Sequence, residues 1–236
     1  MERYYTIGSL KPFSEIDIKK IEDTIGSTLP EGYKNFLMTY GFGDISELLM
    51  ITLPDKDYFR STFQDALDIW ELTIEEEKTI IDGIIIARTI DGDTVLLIPG
   101  NKSPFVVMPR HSMSPVYFST FNKVINFYVS NYKLEDNIYF DSYDNFKLKV
   151  FSDFVQNGIL NKPLFEKVHK RFIDKIAFDR IIENRQPKYI IQKIGGWVYF
   201  DLVNKSSIRV KFQQQFEEEA NRIVEFINSE MNANDS

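Results

Sequence analysis

The sequence predicts an α+β fold: helices packed on a mostly antiparallel central sheet, followed by a C-terminal α/β extension. Three observations carry that prediction. Apolar residues recur at helical spacing between Ser14 and Tyr40. Between Gly83 and Ser119 the pattern changes to short β-branched and aromatic runs broken by turn residues. Residues 134–236 then mix helical and strand patterns without repeating the first part.

Ser14 opens the first helix, and Asp17 three residues later completes a capping box. Ile18, Ile21 and Ile25 form its buried stripe, and Gly26 stops it. Pro30 suits the first position of a second helix, where its fixed φ and missing N–H cost nothing. Glu31 sits near the positive end of that helix dipole. Tyr33, Phe36, Leu37 and Tyr40 share one face, and core packing is the preferred reading for both tyrosines. Gly41 is expected as a left-handed C-cap and Gly43 as a second unusual turn.

Within Glu47–Tyr58 the run LLMITLP reads as a strand closed by a proline. Ser61 or Thr62 is expected to cap a third helical stretch through Phe63, Leu67 and Trp70, continuing into Glu75–Lys78. GIIIARTI, DTVLLIPG and SPFVVMPR are strands separated by Asp91-Gly92-Asp93 and by Gly100-Asn101-Lys102. A fourth short run, Pro115–Ser119, precedes a helix from about Ser119 to Tyr132, with Phe121, Val124, Ile125 and Tyr128 on one face.

Leu134–Tyr143 reads as a polar and aromatic connector that includes Asn137, Asp141 and nearby Asp144. Phe146–Val155 is apolar and ends at the turn Asn157-Gly158. Pro163 lies near the start of a long helix with Leu164, Phe165, Val168, Phe172, Ile176 and Ile181, terminated by Pro187. Gly195-Gly196 is expected as a two-residue hairpin turn between Tyr189–Ile194 and Trp197–Val203. The last helix runs from about Gln213 to Glu230, and the tail Asn232–Ser236 is expected to fray.

One string goes beyond helix grammar. Leu29-Pro30-x-x-Tyr33-x-x-Phe36-Leu37-x-x-Tyr40-Gly41-x-Gly43 resembles the signature of the SUKH superfamily. Gly92-Asp93 matches the Gly-Asp step of the family's central hairpin, and Phe121 to Phe127 its closing helix. The resemblance covers roughly residues 14–133, which sets the expected division into a SUKH-like domain, 1–133, and an extension or small second domain, 134–236. It implies a structural role for Gly92-Asp93 at the sheet edge. It also implies a protein that binds others without catalysis: most bacterial members look like immunity proteins against secreted toxins, and a fungal cell-wall-synthesis regulator belongs to the group.

Composition narrows the chemistry. The chain has no cysteine, so disulfides, thiolate metal sites and Cys nucleophiles are excluded. Its 2 histidines, His111 and His169, sit in no ligand-spaced cluster, and no Ser-His-Asp arrangement, P-loop or Rossmann fingerprint can be traced. No enzyme, cofactor or metal is therefore expected. No apolar run is long enough to span a membrane and the first residues do not read as a secretory signal, so cytoplasmic residence is the expectation.

The net charge of −7 is unevenly spread: residues 1–135 carry 13 Lys/Arg against 20 Asp/Glu, the rest 15 of each. That acidic excess disfavours direct nucleic-acid binding, which needs a basic footprint. It suits a basic protein partner, and nuclease toxins are commonly basic. The densest acidic group, Asp68, Glu71, Glu75, Glu76 and Glu77, is the candidate partner-binding surface; its bland alternative is a solvated helix face. Glu217-Glu218-Glu219 is better explained by the dipole of the last helix. Asp91-Gly92-Asp93 lacks the longer oxygen series and closing glutamate of a calcium loop and reads as a turn, and His111 as a surface-loop residue. The expected function is stoichiometric occlusion of a secreted toxin; the alternative is a regulatory or scaffold protein that binds a host partner.

Overall fold

The computed structural model describes residues 4–134, 138–152, 154–156, 159–183 and 187–233. They separate into two compact units: residues 10–143 with Tyr4 and Tyr5, and Thr6–Ser9 with the residues from Asp144 onward. A short strand β1 (Tyr5–Ile7) lies where the division falls near the N-terminus.

In the first unit α1 (Glu15–Ile25) carries the full capping box: the Ser14 side chain accepts from the Asp17 N–H and Asp17 accepts from the Ser14 N–H. Gly26 ends it in the left-handed region, φ 70° and ψ 24°. The second helix, α2 (Glu31–Tyr40), starts one residue later than expected. Pro30 is extended, φ −58° and ψ 139°, and its carbonyl accepts from Tyr33 and Lys34, so it caps rather than begins the helix. Gly41 has positive φ, 75°, but ψ of −148°, a region outside the left-handed helix and open essentially to glycine alone. Gly43 is no turn: it lies in strand β2 (Gly43–Ile45), opposite Ser142 of β8 (Tyr139–Ser142). A Cβ at Gly43 would collide with the Asp141 carbonyl and the Phe140 ring, so close strand approach is what demands glycine there.

Both strands depart from the sequence expectation: β2 has no strand signal of its own, and β8 lies within Leu134–Tyr143, the expected connector; Asn137 itself lies outside the described residues. Strand β3 (Leu49–Asp55) follows as expected. The single third helix becomes three pieces: α3 (Tyr58–Phe63), a 3-10 turn at Leu67–Ile69, and α4 (Ile74–Ile80). Trp70 explains the break, because its backbone is extended and its indole N–H reaches the Pro109 carbonyl at 2.8 Å. Strands β4 (Ile84–Thr89), β5 (Thr94–Leu97), β6 (Phe105–Met108) and β7 (Val116–Phe118) form the expected meander, and α5 (Phe121–Asn131) closes it with Thr120 as N-cap.

These strands lie antiparallel in the order β8-β2-β3-β4-β5-β6-β7. One face carries the main core: Ile84, Ile86, Val95, Leu97, Phe105 and Val107 pack with the buried faces of α1, α2 and α5. The opposite face carries a second core, in which Ile85, Leu96, Val106 and Met108 meet Phe59, Trp70 and Ile80 from the α3–α4 segment. The central strands are buried on both sides, which is why they read as continuous apolar runs rather than alternating ones.

The second unit is a five-stranded antiparallel sheet in the order β12-β13-β14-β15-β9. Its strands are β9 (Phe146–Phe151), β12 (Arg180–Ile182), β13 (Lys188–Ile191), β14 (Gly196–Phe200) and β15 (Ile208–Gln213), the last unassigned from sequence. A small hairpin, β10 (Val155–Gln156) and β11 (Ile159–Leu160), stands apart from that sheet; the turn expected at Asn157-Gly158 lies outside the described residues. Helices α6 (Lys162–Lys175) and α7 (Glu217–Asn232) cover one face, packing Phe165, Val168, Phe172, Ile223 and Ile227 on Val198, Phe200 and Val210.

Three expectations shift here. The α6 helix ends at Lys175, not Pro187, because Asp179 draws the chain into the sheet: its N–H bonds the Ile190 carbonyl and its carboxylate accepts from Gln192 N. Ile181 therefore belongs to β12. The β13–β14 connection spans residues 192–195, since Ile191 pairs with Gly196; Gly195 alone has the left-handed conformation. Gln213 is a buried strand residue, and α7 starts at Glu217 with all three glutamates in its first turn. The end of the expected tail, residues 234–236, lies outside the described residues.

Two glutamines tie Thr6–Ser9 into this unit. The Gln213 amide accepts from Ser9 N and donates to Ser9 O, both at 2.8 Å. The Gln192 amide does the same with Gly8 N at 3.2 Å and Thr6 O at 2.8 Å. Each side chain thereby presents the donor–acceptor pair of a neighbouring strand.

Candidate partner-binding surface

The acidic residues singled out from sequence fall on the α3–α4 side of the first unit. Thr73 starts α4 with a capping box: its hydroxyl accepts from Glu76 N, and the Glu76 carboxylate accepts from Thr73 N at 2.9 Å. Ile80 is buried in the second core, which turns Glu75 outward. Glu76 has a further partner, because the Tyr117 phenol of β7 donates to it at 2.8 Å. The Thr73 N–H, then Tyr117 and the Thr73 hydroxyl hold the Glu76 carboxyl below its ordinary range. Partial burial, and then the Glu76 charge, pushes the Tyr117 phenol up. Glu76 is thus committed to the helix start and to β7.

A groove of about 370 Å³ opens along this element. Glu75, Glu76, Thr79 and Ile80 form one wall, and Ile98, Asn101, Ser103 and Tyr117 the other. Ile80 and Ile98 supply an apolar lining, with carboxylates on one rim and neutral hydrogen-bonding groups on the other. Such a groove accommodates a lysine or arginine, whose stem is apolar and whose head is charged. Of the five acidic residues, Glu75 and Glu76 line the groove. Asp68 and Glu71 lie exposed on the preceding segment, where Glu71 N donates to Met113 O at 2.8 Å, and Glu77 is half-buried on α4. Exposed apolar side chains are interspersed with them: Ile69, Ile74 and Met113.

Tyr117, Asn101 and Ser103 had no signal in the linear sequence, because Tyr117 meets Glu76 across 41 residues. A second acidic grouping was equally hidden. Asp44 and Asp141 are directly opposed in the β2–β8 register and both are buried. Burial, followed by the carboxylates of Glu47, Asp44 and Asp141, raises the Tyr139 phenol. At the β4–β5 hairpin, Asp93 accepts from Arg110 N at 2.9 Å and from the Tyr128 hydroxyl at 3.1 Å, while Asp91 accepts from the Tyr132 hydroxyl. The turn role of Asp91-Gly92-Asp93 stands, but in the middle of the sheet, anchored to α5, rather than at its edge. His111 is exposed; His169 is half-buried on α6, 2.7 Å from the Tyr189 hydroxyl, and burial lowers its pKa.

The motif residues Leu29, Tyr33, Phe36, Leu37 and Tyr40 all face the main core beneath the sheet, so the α2 string is a packing signature. Two helices before a mostly antiparallel sheet and one after it define an α+β protein of SUKH type. The SMI1 / KNR4 family (SUKH-1) model matches residues 12–154, and the chain belongs to that family. No curated protein and no solved structure matches it. Among the described residues no helix is long and apolar enough to cross a membrane.

Proposed function

We propose that this protein is an immunity protein that binds a basic secreted toxin and covers its substrate site, acting in the bacterial cytoplasm without chemistry of its own. The supporting observation is the acidic and apolar surface around α4, built within a SUKH fold: a groove that fits a cationic side chain, beside the exposed Ile69, Ile74 and Met113. Carboxylates interspersed with apolar anchors suit an interface in which a few desolvated contacts dominate the energy and charge raises the association rate. A standard interface of about 800 Å² per partner would extend well beyond the groove. In this reading the SUKH-like domain, residues 1–133, presents Asp68, Glu71, Glu75, Glu76 and Glu77 to the toxin, and residues 134–236 form the extension.

The test is co-purification of the tagged chain with the products of neighbouring genes, followed by growth rescue. A neighbour that forms a stable complex and kills only when this protein is absent supports immunity. Glu75→Lys together with Glu71→Lys should slow association about tenfold and weaken its salt dependence; neither residue takes part in the α4 cap. Absence of both partner and rescue refutes the immunity reading and favours a regulatory role. An unchanged association rate refutes the assignment of the surface.

A further inference from the structure

Strand β9 closes one side of the five-stranded sheet. Its inner side pairs with β15 over six residue pairs, from Phe146↔Gln213 to Phe151↔Ile208, with no shift in register. Among the described residues no strand pairs with its outer side. The exposed backbone N–H and C=O groups of such an edge are a template for another strand. Sheets usually protect such an edge with a bulge, a proline or charge on both faces. Here Phe146, Leu148 and Val150 point to the face not covered by helices and are 44%, 49% and 47% exposed. Only the alternate positions, Lys147 and Lys149, are charged, and they lie on the helix-covered side, where Lys147 meets Glu217 at 2.8 Å.

We propose that the outer edge of β9 is a docking site for an extended segment of a partner protein that alternates apolar and acidic residues. Addition of a strand would satisfy the edge backbone, as in other β-augmentation complexes. Strand alternation then dictates the side chains. Residues on the face away from the helices pack beside the half-exposed Leu148 and Val150, and residues on the helix-covered face meet Lys147 and Lys149. Because Glu217 already neutralises Lys147, Lys149 carries most of the charge selection. The same alternation argues against a second copy as the occupant. Two β9 edges joined antiparallel with their helices on one side set lysine opposite lysine, an unfavourable cross-strand pair. This inference does not depend on the toxin reading, because it uses a different unit of the chain.

The test uses the full chain and three fluorescent eight-residue peptides: one alternating Val and Glu, one alternating Val and Lys, and the Val/Glu peptide N-methylated at alternate residues. The Val/Glu peptide should bind and slow amide exchange within residues 146–151. The Val/Lys peptide should bind at least about tenfold more weakly, and N-methylation should abolish binding. Lys149→Glu, checked for folding by circular dichroism, should narrow or invert the preference between the two charged peptides. If that variant fails to fold, the N-methylated peptide still decides. The proposal is overturned if the Val/Glu peptide shows no binding up to about 1 mM, or if both charged peptides bind equally. Exchange protection outside β9, or sedimentation showing a β9-dependent dimer, overturns it too.

Discussion

Three glycines of the first unit separate backbone strain from steric crowding. Gly26 and Gly41 both have positive φ, 70° and 75°, but a Cβ at Gly26 meets nothing within 4 Å. At Gly41 the Cβ would overlap the Lys11 carbonyl oxygen, and ψ of −148° is closed to other residues. Gly26→Ala should therefore cost only left-handed strain, about 1 kcal/mol. Gly41→Ala adds a backbone collision to a worse conformational penalty, for a total of about 4 kcal/mol. Gly43→Ala should fall between them, because its backbone is ordinary strand but its Cβ would lie 2.5 Å from Phe140 Cζ. The chain's 2 tryptophans fall one in each unit, so a Trp197→Phe background leaves Trp70 as reporter of the first. Urea unfolding followed by that indole should place Gly41→Ala about 1.5 M below Gly26→Ala, taking a slope of about 2 kcal/mol per M. Equal midpoints would refute the argument that close approach of the Lys11 carbonyl is what requires glycine at the end of the motif.

Further outcomes follow from the hydrogen bonds and titrations. Gln213→Ala removes both bonds to Ser9, should destabilise the second unit by about 2–4 kcal/mol, and should accelerate exchange of the Ser9 amide; unchanged exchange would contradict the proposed tie. The folded carboxyl of Glu76 is held below its unfolded value of 4.5, so its stabilisation is complete above about pH 4.5 and is lost as pH falls through the lower folded value. Tyr117→Phe should raise the Glu76 midpoint in a carboxyl NMR titration, and an unmoved midpoint would rule out the phenol as a significant donor. His169 is also lowered from 6.5, so stability should decline as pH falls below about that value and level off below the folded midpoint. In His169→Phe that slope should disappear from urea midpoints measured between about pH 7 and 5.

What the sequence determined by itself was local. The Ser14 capping box, the Ile18-Ile21-Ile25 stripe, the Tyr33-Phe36-Leu37-Tyr40 face and the β4–β7 meander are set by interactions within a few residues, and each is where spacing places it. The family string was legible for the same reason, because one helix face and its exit carry it. The tertiary structure decided everything that needs a distant partner. Strands β2 and β8 are short and polar in places, and they become strands only because a neighbour across the sheet takes up their backbone groups. Strand β15, although unassigned, alternates apolar and polar residues over Ile208–Gln213 and so carries a strand period of its own. Helix α6 stops where Asp179 finds Gln192 and Ile190, not where a proline would force it to. The groove beside α4 exists because β7 carries Tyr117 to Glu76 across 41 residues. Hydrogen bonds and burial between remote segments leave no period in the chain, so elements with their own apolar period were readable from sequence, while the short strands, the helix ends and the surfaces were not.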